Sequence, residues 1–261
     1  MLSKLFKHEM KATARLLLPI YLILAVLTIM DRIVIYLHIF KGVLAIIPGF
    51  ITFAYVISLI AIIVVSSVII IIRFYKNLMT DEGYLMFTLP VKSYELINSK
   101  LLASVIWTVA SFAGVIVSLL IIFSGSPQFS QLPNVWREMV SVIKSQLGDT
   151  TTIFAIEMIL MIIISIPNSI LMIYVSIAVG QFFNGHKVLG SFAAYIGIST
   201  AIQIFTTVIT VIFSLLFRNA VSDINTITQI MFPVEILFLL VLNVAYYWVT
   251  NFIFNRKLNL D

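Results

Sequence analysis

The chain has no cysteine and only three histidines among its 261 residues. The absence of cysteine excludes disulfide bonds and thiolate metal sites. His8, His38 and His186 lie far apart in the sequence and form no ligand cluster. The sequence has neither a His-Glu-x-x-His motif nor a pair of glutamates within one hydrophobic segment. We therefore expect no catalytic, metal or cofactor site in this chain.

Charged residues are also scarce, at 10% of the chain, while hydrophobic residues make up 61% and the mean hydropathy is +1.13. Soluble domains have about 25% charged and about 45–50% apolar residues. The composition therefore indicates an integral membrane protein. The net charge of +5 would suggest nucleic acid for a soluble protein. Here the basic residues flank hydrophobic segments, so we expect membrane lipids as the partner and no nucleic acid.

Six hydrophobic segments are long enough to cross a bilayer, which requires about 20 apolar residues. They cover residues 16–39, 50–72, 101–123, 153–182, 188–217 and 231–254. The pattern predicts an all-α polytopic membrane protein, with one six-span transmembrane domain over residues 16–261. The fourth and fifth segments exceed the minimum length, so we expect tilt or a kink, and Pro167 is a kink site in the fourth.

The distribution of basic residues predicts the orientation, because cytoplasmic loops are enriched in lysine and arginine. One side collects Lys4, Lys7, Lys11, Arg15, Arg73, Lys76, Lys92, Lys100, Lys187, Arg256 and Lys257. The other side has Lys41, Arg137, Lys144 and Arg218. We therefore expect a multi-pass protein of the cell membrane with both termini in the cytoplasm.

Two further segments have an amphipathic helical pattern. Residues 1–15 place Leu2, Leu5, Phe6 and Met10 on one face and basic residues on the other, which favours a membrane-surface helix over an unstructured basic leader. Residues 132–147 have an apolar face as well, with Gly148 as the expected C-terminal stop. This second helix either lies flat in the outer leaflet or caps an external opening.

A polar stretch over residues 74–100 separates the second span from the third. Its first part, residues 77–88, reads as a short helix that ends before Pro90, and Ser93 then reads as the N-cap of a helix with Glu95 in its first turn. Acidic residues stand beside aromatic and aliphatic ones in the short helix. The pattern fits either a docking surface for a soluble partner or an ordinary interfacial loop.

This stretch resembles the loop between the second and third spans of type-2 ABC exporter permeases. The resemblance lies in the turn Leu89-Pro90-Val91 and in the helix that reaches Lys100-Leu101. It implies a coupling helix seated on a separate ATPase subunit, two permease subunits, identical or homologous, and two ATPase subunits, with ATP and Mg bound by the ATPases. The implied coupling contacts are Asp81, Glu82, Tyr84, Leu85, Met86 and Phe87, with a second contact in the turn 184–187 at His186 and Lys187.

The resemblance covers the six-span layout of nearly the whole chain but is specific in sequence only over this loop. The outer segment 218–230 departs from the family, because it lacks the re-entrant helix pair of many relatives. The chain itself is not expected to be an enzyme. Residues 180–187 approach a phosphate-binding loop, but Lys187 stands one place late and no Ser or Thr follows it.

Four ionisable residues are expected at about the same depth in the outer third of the membrane: Asp31, Arg32, Glu157 and Glu235. Charges within a bilayer are costly, so they usually face other helices and pair. We predict that Arg32 pairs with Glu157 or Glu235 to form an intramembrane polar lock. The lock is either a static ion pair, or a gate or substrate contact.

Two other functions remain open from the sequence. One is a proton-coupled secondary transporter that uses Glu157 and Glu235 as proton carriers, although no internal repeat supports it. The other is a non-transporting sensor or immunity protein that uses the polar loop as a docking site. The permease of an ATP-driven exporter is the function that the sequence favours.

Overall fold

The computed structural model describes residues 2–37, 46–79, 92–124, 126–183, 185–216 and 227–256. These residues form helices and turns and contain no strand. The α-helices are α1 (Leu2–Leu37), α2 (Ile46–Met79), α3 (Ser93–Phe123), α4 (Pro127–Leu147), α5 (Thr151–Gly180), α6 (Lys187–Leu216) and α7 (Phe232–Arg256). A 3-10 turn at Gly148–Thr150 joins α4 to α5, and a π-helical turn at Ile227–Met231 leads into α7. The predicted all-α class is confirmed.

Within the described ranges, six helices are long and apolar enough to cross a membrane: α1, α2, α3, α5, α6 and α7. Each covers most of one of the six hydrophobic segments found in the sequence. A helix satisfies its own backbone hydrogen bonds, which is why such segments are stable in hydrocarbon. The helices indicate a multi-pass membrane protein.

The helices α1 and α2 are longer than a bilayer crossing requires. With 36 residues, α1 rises about 54 Å, against a hydrocarbon core of about 30 Å. It runs through Arg15 without a break, so the predicted surface helix over residues 1–15 is continuous with the first span. Its position at a membrane surface stays a prediction. The first three residues of the predicted helix 77–88 belong to α2, and residues 80–88 lie outside the described residues.

The amphipathic helix α4 begins at Pro127, five residues before its predicted start, and includes Pro133. It ends at Leu147 as predicted, followed by Gly148 with φ of +52°. Only glycine adopts this left-handed conformation without a steric cost, so it forms a good helix stop. Trp136 on the apolar face is 64% exposed. The choice between a flat helix and an external cap stays open.

The chain divides into two compact units. The first unit consists of Met1–Phe74 and Glu95–Pro133, and contains α1, most of α2, and α3 from Glu95 onward. Its core contains Leu24 of α1 with Tyr55 and Ile62 of α2. The second unit consists of Tyr75–Tyr94 and Asn134–Asp261, and in it α5 packs against both α6 and α7. The predicted single six-span domain stays a prediction.

Candidate functional site

A buried charged triad joins three helices of the first unit. Glu9 of α1 accepts hydrogen bonds from Lys100 of α3 (Oε1 to Nζ, 2.6 Å) and from Arg73 of α2 (Oε2 to Nη2, 2.7 Å). The side chains are only 8%, 4% and 18% exposed for Glu9, Lys100 and Arg73, respectively. Each carboxylate oxygen therefore contacts a different cation, so one side chain of α1 is tied to both α2 and α3.

This triad was not predicted from the sequence. Arg73 and Lys100 served there as basic residues that orient the chain, Lys100 served also as part of the resemblance, and Glu9 was not considered. The sequence does contain a feature that points to Glu9. Glu9 is the one acidic residue in a basic segment, and it begins a stripe at helical spacing that continues through Thr13 and Leu17. All three side chains are buried. A buried acidic residue costs free energy unless a cation or hydrogen-bond donors compensate it, so Glu9 is a candidate for pairing with a basic residue of another helix.

Hydroxyl groups connect the same three helices further along their length. Ser111 Oγ of α3 lies 2.8 Å from Tyr21 OH of α1 and 2.9 Å from Ser66 Oγ of α2. Two turns later, Ser118 Oγ lies 2.7 Å from Thr28 Oγ1 and 2.9 Å from Tyr55 OH. Interhelical hydrogen bonds of this kind stabilise helix packing in membranes. They connect α1, α2 and α3 at two levels.

Two members of the predicted polar lock lie in the first unit and have partners there. Asp31 Oδ1 accepts a hydrogen bond from Thr52 Oγ1 at 2.7 Å, and the Asp31 side chain is buried. Arg32 Nη1 donates to the backbone carbonyl of Ile122 at 3.0 Å. These contacts link the last turns of α1 to α2 and α3.

The two carboxylates of the predicted lock belong to the second unit. Glu157 of α5 is buried, and its Oε2 has no hydrogen-bond partner among the described residues. Glu235 lies in the first turn of α7. The pairing of Arg32 with Glu157 or Glu235 stays a prediction.

The second unit contains a cavity of about 550 Å³ between α5, α6 and α7. Glu235 lines it, together with the amides Asn168 and Gln203. Asn168 Nδ2 is buried and has no hydrogen-bond partner among the described residues. The rest of the lining is mainly aliphatic and aromatic, with the hydroxyl groups of Ser199, Thr206, Thr210 and Tyr246. From the sequence, Glu235 was predicted to lie within the membrane, but the cavity was not predicted.

The coupling contacts that the resemblance implies fall largely outside the described residues. This applies to Asp81, Glu82, Tyr84, Leu85, Met86 and Phe87. The second contact is described: His186 is exposed just before α6, and Lys187 is the first residue of that helix. The His186 carbonyl accepts a hydrogen bond from Gly190 N at 2.8 Å, which closes the first turn. A role for either residue in binding an ATPase stays a prediction.

In the part of the chain that the structure describes, no group of three or more histidine, cysteine, aspartate or glutamate side chains is placed to hold a metal ion. No protein-family model, curated protein or solved structure matches the chain.

Proposed function

We propose that this chain is the permease subunit of an ATP-driven ABC exporter. In this proposal two permease chains form the transport path, and a separate ATPase subunit binds ATP and Mg and drives them. The six apolar helices and the resemblance of the loop after α2 support the proposal. The observation that carries it is the charged triad, because it ties α1 to both helices that flank this loop.

The triad lies close to the loop on both sides. Arg73 is six residues before the end of α2, and Lys100 is seven residues after the start of α3. These separations correspond to about 9 Å and about 10 Å along the helices. A helix transmits a displacement along its axis. Separating the partners of a buried ion pair costs free energy, so the three helices stay connected when one of them is displaced. A force on the loop would therefore move α1, α2 and α3 together.

The proposal includes an orientation. The triad and the loop lie on the cytoplasmic side, where most of the basic residues are found, and both termini are cytoplasmic. The first turns of α1 then contact anionic lipid headgroups through Lys4, Lys7 and Lys11. The ATPase would contact the loop at residues 81–87 and the turn at His186 and Lys187.

The test is co-purification of an ATPase from the native membrane with the detergent-solubilised chain. We expect an ATP-hydrolysing subunit to accompany the unaltered chain and to be lost from the double variant Leu85→Asp/Phe87→Asp. The matched control is Val135→Asp/Met139→Asp on α4, where both side chains are 52% exposed. A chain that purifies without any ATPase, or an ATPase retained equally by the loop variant, would contradict the proposal.

A second function has one observation in its favour. Buried Glu157, with Oε2 unpartnered among the described residues, is the kind of carboxylate that carries protons in secondary transporters. The purified chain in liposomes would then move solute under a proton gradient without ATP, and Glu157→Gln would abolish the movement. Transport that needs ATP and the partner subunit, and that persists in Glu157→Gln, excludes this alternative.

A further inference from the structure

The cavity of the second unit has the size and composition of a small-molecule site. Its volume of about 550 Å³ falls within the range of about 300–1,000 Å³ that ligand pockets occupy. Such pockets are mainly apolar and have a few polar groups that orient the ligand. Here Ile202, Ile209, Leu239 and Leu242 supply the apolar wall, and Asn168 and Gln203 supply amides.

The described lining of this cavity carries formal charge of one sign only. Among the described residues that line it, Glu235 is the one that carries a formal charge. A carboxylate within a membrane protein costs free energy unless a cation or hydrogen-bond donors compensate it. A positively charged occupant would be attracted to Glu235, and an anionic one would be repelled.

Aromatic side chains strengthen the preference for a cation. Phe213 of α6 and Phe238 of α7 both line the cavity. Phe238 stacks on Phe205, with ring centroids 5.6 Å apart and planes inclined by 26°, which holds its ring in place. The face of a phenylalanine ring attracts organic cations, more so away from water.

The cavity is elongated along α7. Its lining on this helix runs from Val234 to Tyr246, which is about 18 Å at the helical rise per residue. Glu235 lies at one end of that row, and the apolar and aromatic side chains of Phe238, Leu239, Leu242 and Tyr246 continue it. The shape suits a molecule with a charged head and an apolar tail.

We propose that this cavity binds an amphipathic organic cation, with the cationic head at Glu235 and the apolar tail along α7. Asn168 and Gln203 line the same cavity and place amide groups beside the apolar wall. Identifying this ligand as the transported substrate rests on the proposed exporter function, but the binding itself does not. The competing occupant is a lipid acyl chain, which would show no preference for positive charge.

The experiment uses the full chain in nanodiscs of zwitterionic lipid, with empty nanodiscs subtracted. The probes share one chain length and differ in charge: dodecyltrimethylammonium, dodecanol and dodecyl sulfate. Equilibrium dialysis measures the binding of each. We expect saturable binding of the cation, at least about tenfold tighter than that of the other two probes, because one charge contact of moderate strength is worth about that factor.

The variants separate charge from shape. Glu235→Gln should weaken cation binding about tenfold and leave dodecanol binding unchanged, whereas Glu235→Asp should keep the cation preference. Glu157→Gln is the matched control, because Glu157 is a carboxylate of the same unit outside the cavity lining. Thr206→Phe fills part of the cavity and should weaken binding of all three probes. Gel filtration and thermal unfolding check that each variant is folded.

Two results would overturn the proposal: equal binding of the three probes that Glu235→Gln does not alter, or no saturable binding of the cation above empty nanodiscs. The first would indicate a groove for lipid chains. Since no ATPase is present in this experiment, its outcome is independent of the co-purification test. Cation binding without a co-purifying ATPase would support the ligand site and contradict the proposed exporter function.

Discussion

The two units of the protein differ in how far their buried polar side chains are paired. In the first unit, Glu9 and Asp31 are buried and both have partners on neighbouring helices. In the second unit, Glu157 Oε2 and Asn168 Nδ2 are buried with no partner among the described residues. Trp107 Nε1 is an exception in the first unit, since it too is unpartnered there. Paired polar groups hold helices in one arrangement, whereas unpaired ones remain available to a ligand or a proton.

In the proposed permease, the two units would therefore have different roles. The first unit has polar connections between α1, α2 and α3 at several levels, which suits an element that transmits force from the loop. The second unit has a cavity and unsatisfied polar atoms, which suits an element that binds a ligand.

Breaking the triad should have the largest effect on stability. Glu9→Gln removes the carboxylate that contacts buried Lys100 and half-buried Arg73, which should lower the free energy of unfolding by about 3 kcal/mol. Unfolding by denaturing detergent from mild-detergent micelles measures the change. Glu138→Gln on exposed α4 is the control and should change stability by less than about 0.5 kcal/mol.

A triple variant sharpens this prediction. Replacing Glu9, Arg73 and Lys100 together by methionine removes all three charges, and should recover most of the stability lost in Glu9→Gln. In the proposed exporter it should still uncouple ATP hydrolysis from transport. A triple variant as unstable as Glu9→Gln would show that the instability does not come from uncompensated charge.

The close approach of α5 and α6 in the second unit predicts the next largest effect. A Cβ at Gly180 would lie 2.5 Å from both the backbone N and the Cα of Ser191, so the helices would have to separate. Gly180→Ala should therefore cost about 1–3 kcal/mol. A Cβ at Gly197 on α6 meets nothing within 4 Å, so Gly197→Ala should be neutral or stabilising by up to about 1 kcal/mol. Equal effects of the two substitutions would contradict the close packing.

The hydroxyl contacts of the first unit should each contribute modestly. Ser118→Ala removes the group that bonds to both Thr28 and Tyr55, so we expect a loss of about 1 kcal/mol in the free energy of unfolding. Ser67→Ala is the matched control, because exposed Ser67 donates only within its own helix, to the Ile63 carbonyl. A difference near zero between the two variants would mean that the hydroxyl contacts do not hold α1, α2 and α3 together.

The smallest effect on stability is expected at Glu157. Replacing an incompletely satisfied buried carboxylate by an apolar side chain of similar size is often neutral or stabilising, so Glu157→Leu should change the free energy of unfolding by less than about 1 kcal/mol or raise it. A loss of several kcal/mol would instead indicate a strong partner. Recovery by the charge exchange Arg32→Glu with Glu157→Lys would then identify it as Arg32, which is one of the two pairings predicted from the sequence, the other being Arg32 with Glu235.

Much of the fold could be predicted from the sequence because it depends on local properties. A run of about 20 apolar residues is stable in a bilayer only if its backbone groups are satisfied, and a helix does this without help from other segments. The six spans, the all-α class and the end of α4 at Gly148 follow from such local rules. The boundaries were less accurate, since α1 continues through Arg15 and α4 starts at Pro127.

The candidate sites were only partly predictable. Their position within hydrophobic segments identifies Asp31, Glu157 and Glu235 as costly charges in membrane spans, but it does not show which residues each one contacts. Glu9 lies 64 residues from Arg73 and 91 from Lys100 in the sequence, so their meeting depends on which faces of α1, α2 and α3 come together. The cavity beside Glu235 likewise exists because α5, α6 and α7 leave space between them.

The membrane class of the protein, its helices and the charges that need partners thus follow from the amino-acid sequence, because hydrophobicity and helical hydrogen bonding act over neighbouring residues. That Glu9 joins three helices and that Glu235 borders a cavity depends on how the helices pack. Interhelical packing selects these partners, and it depends on the shapes of side chains that are far apart in the chain.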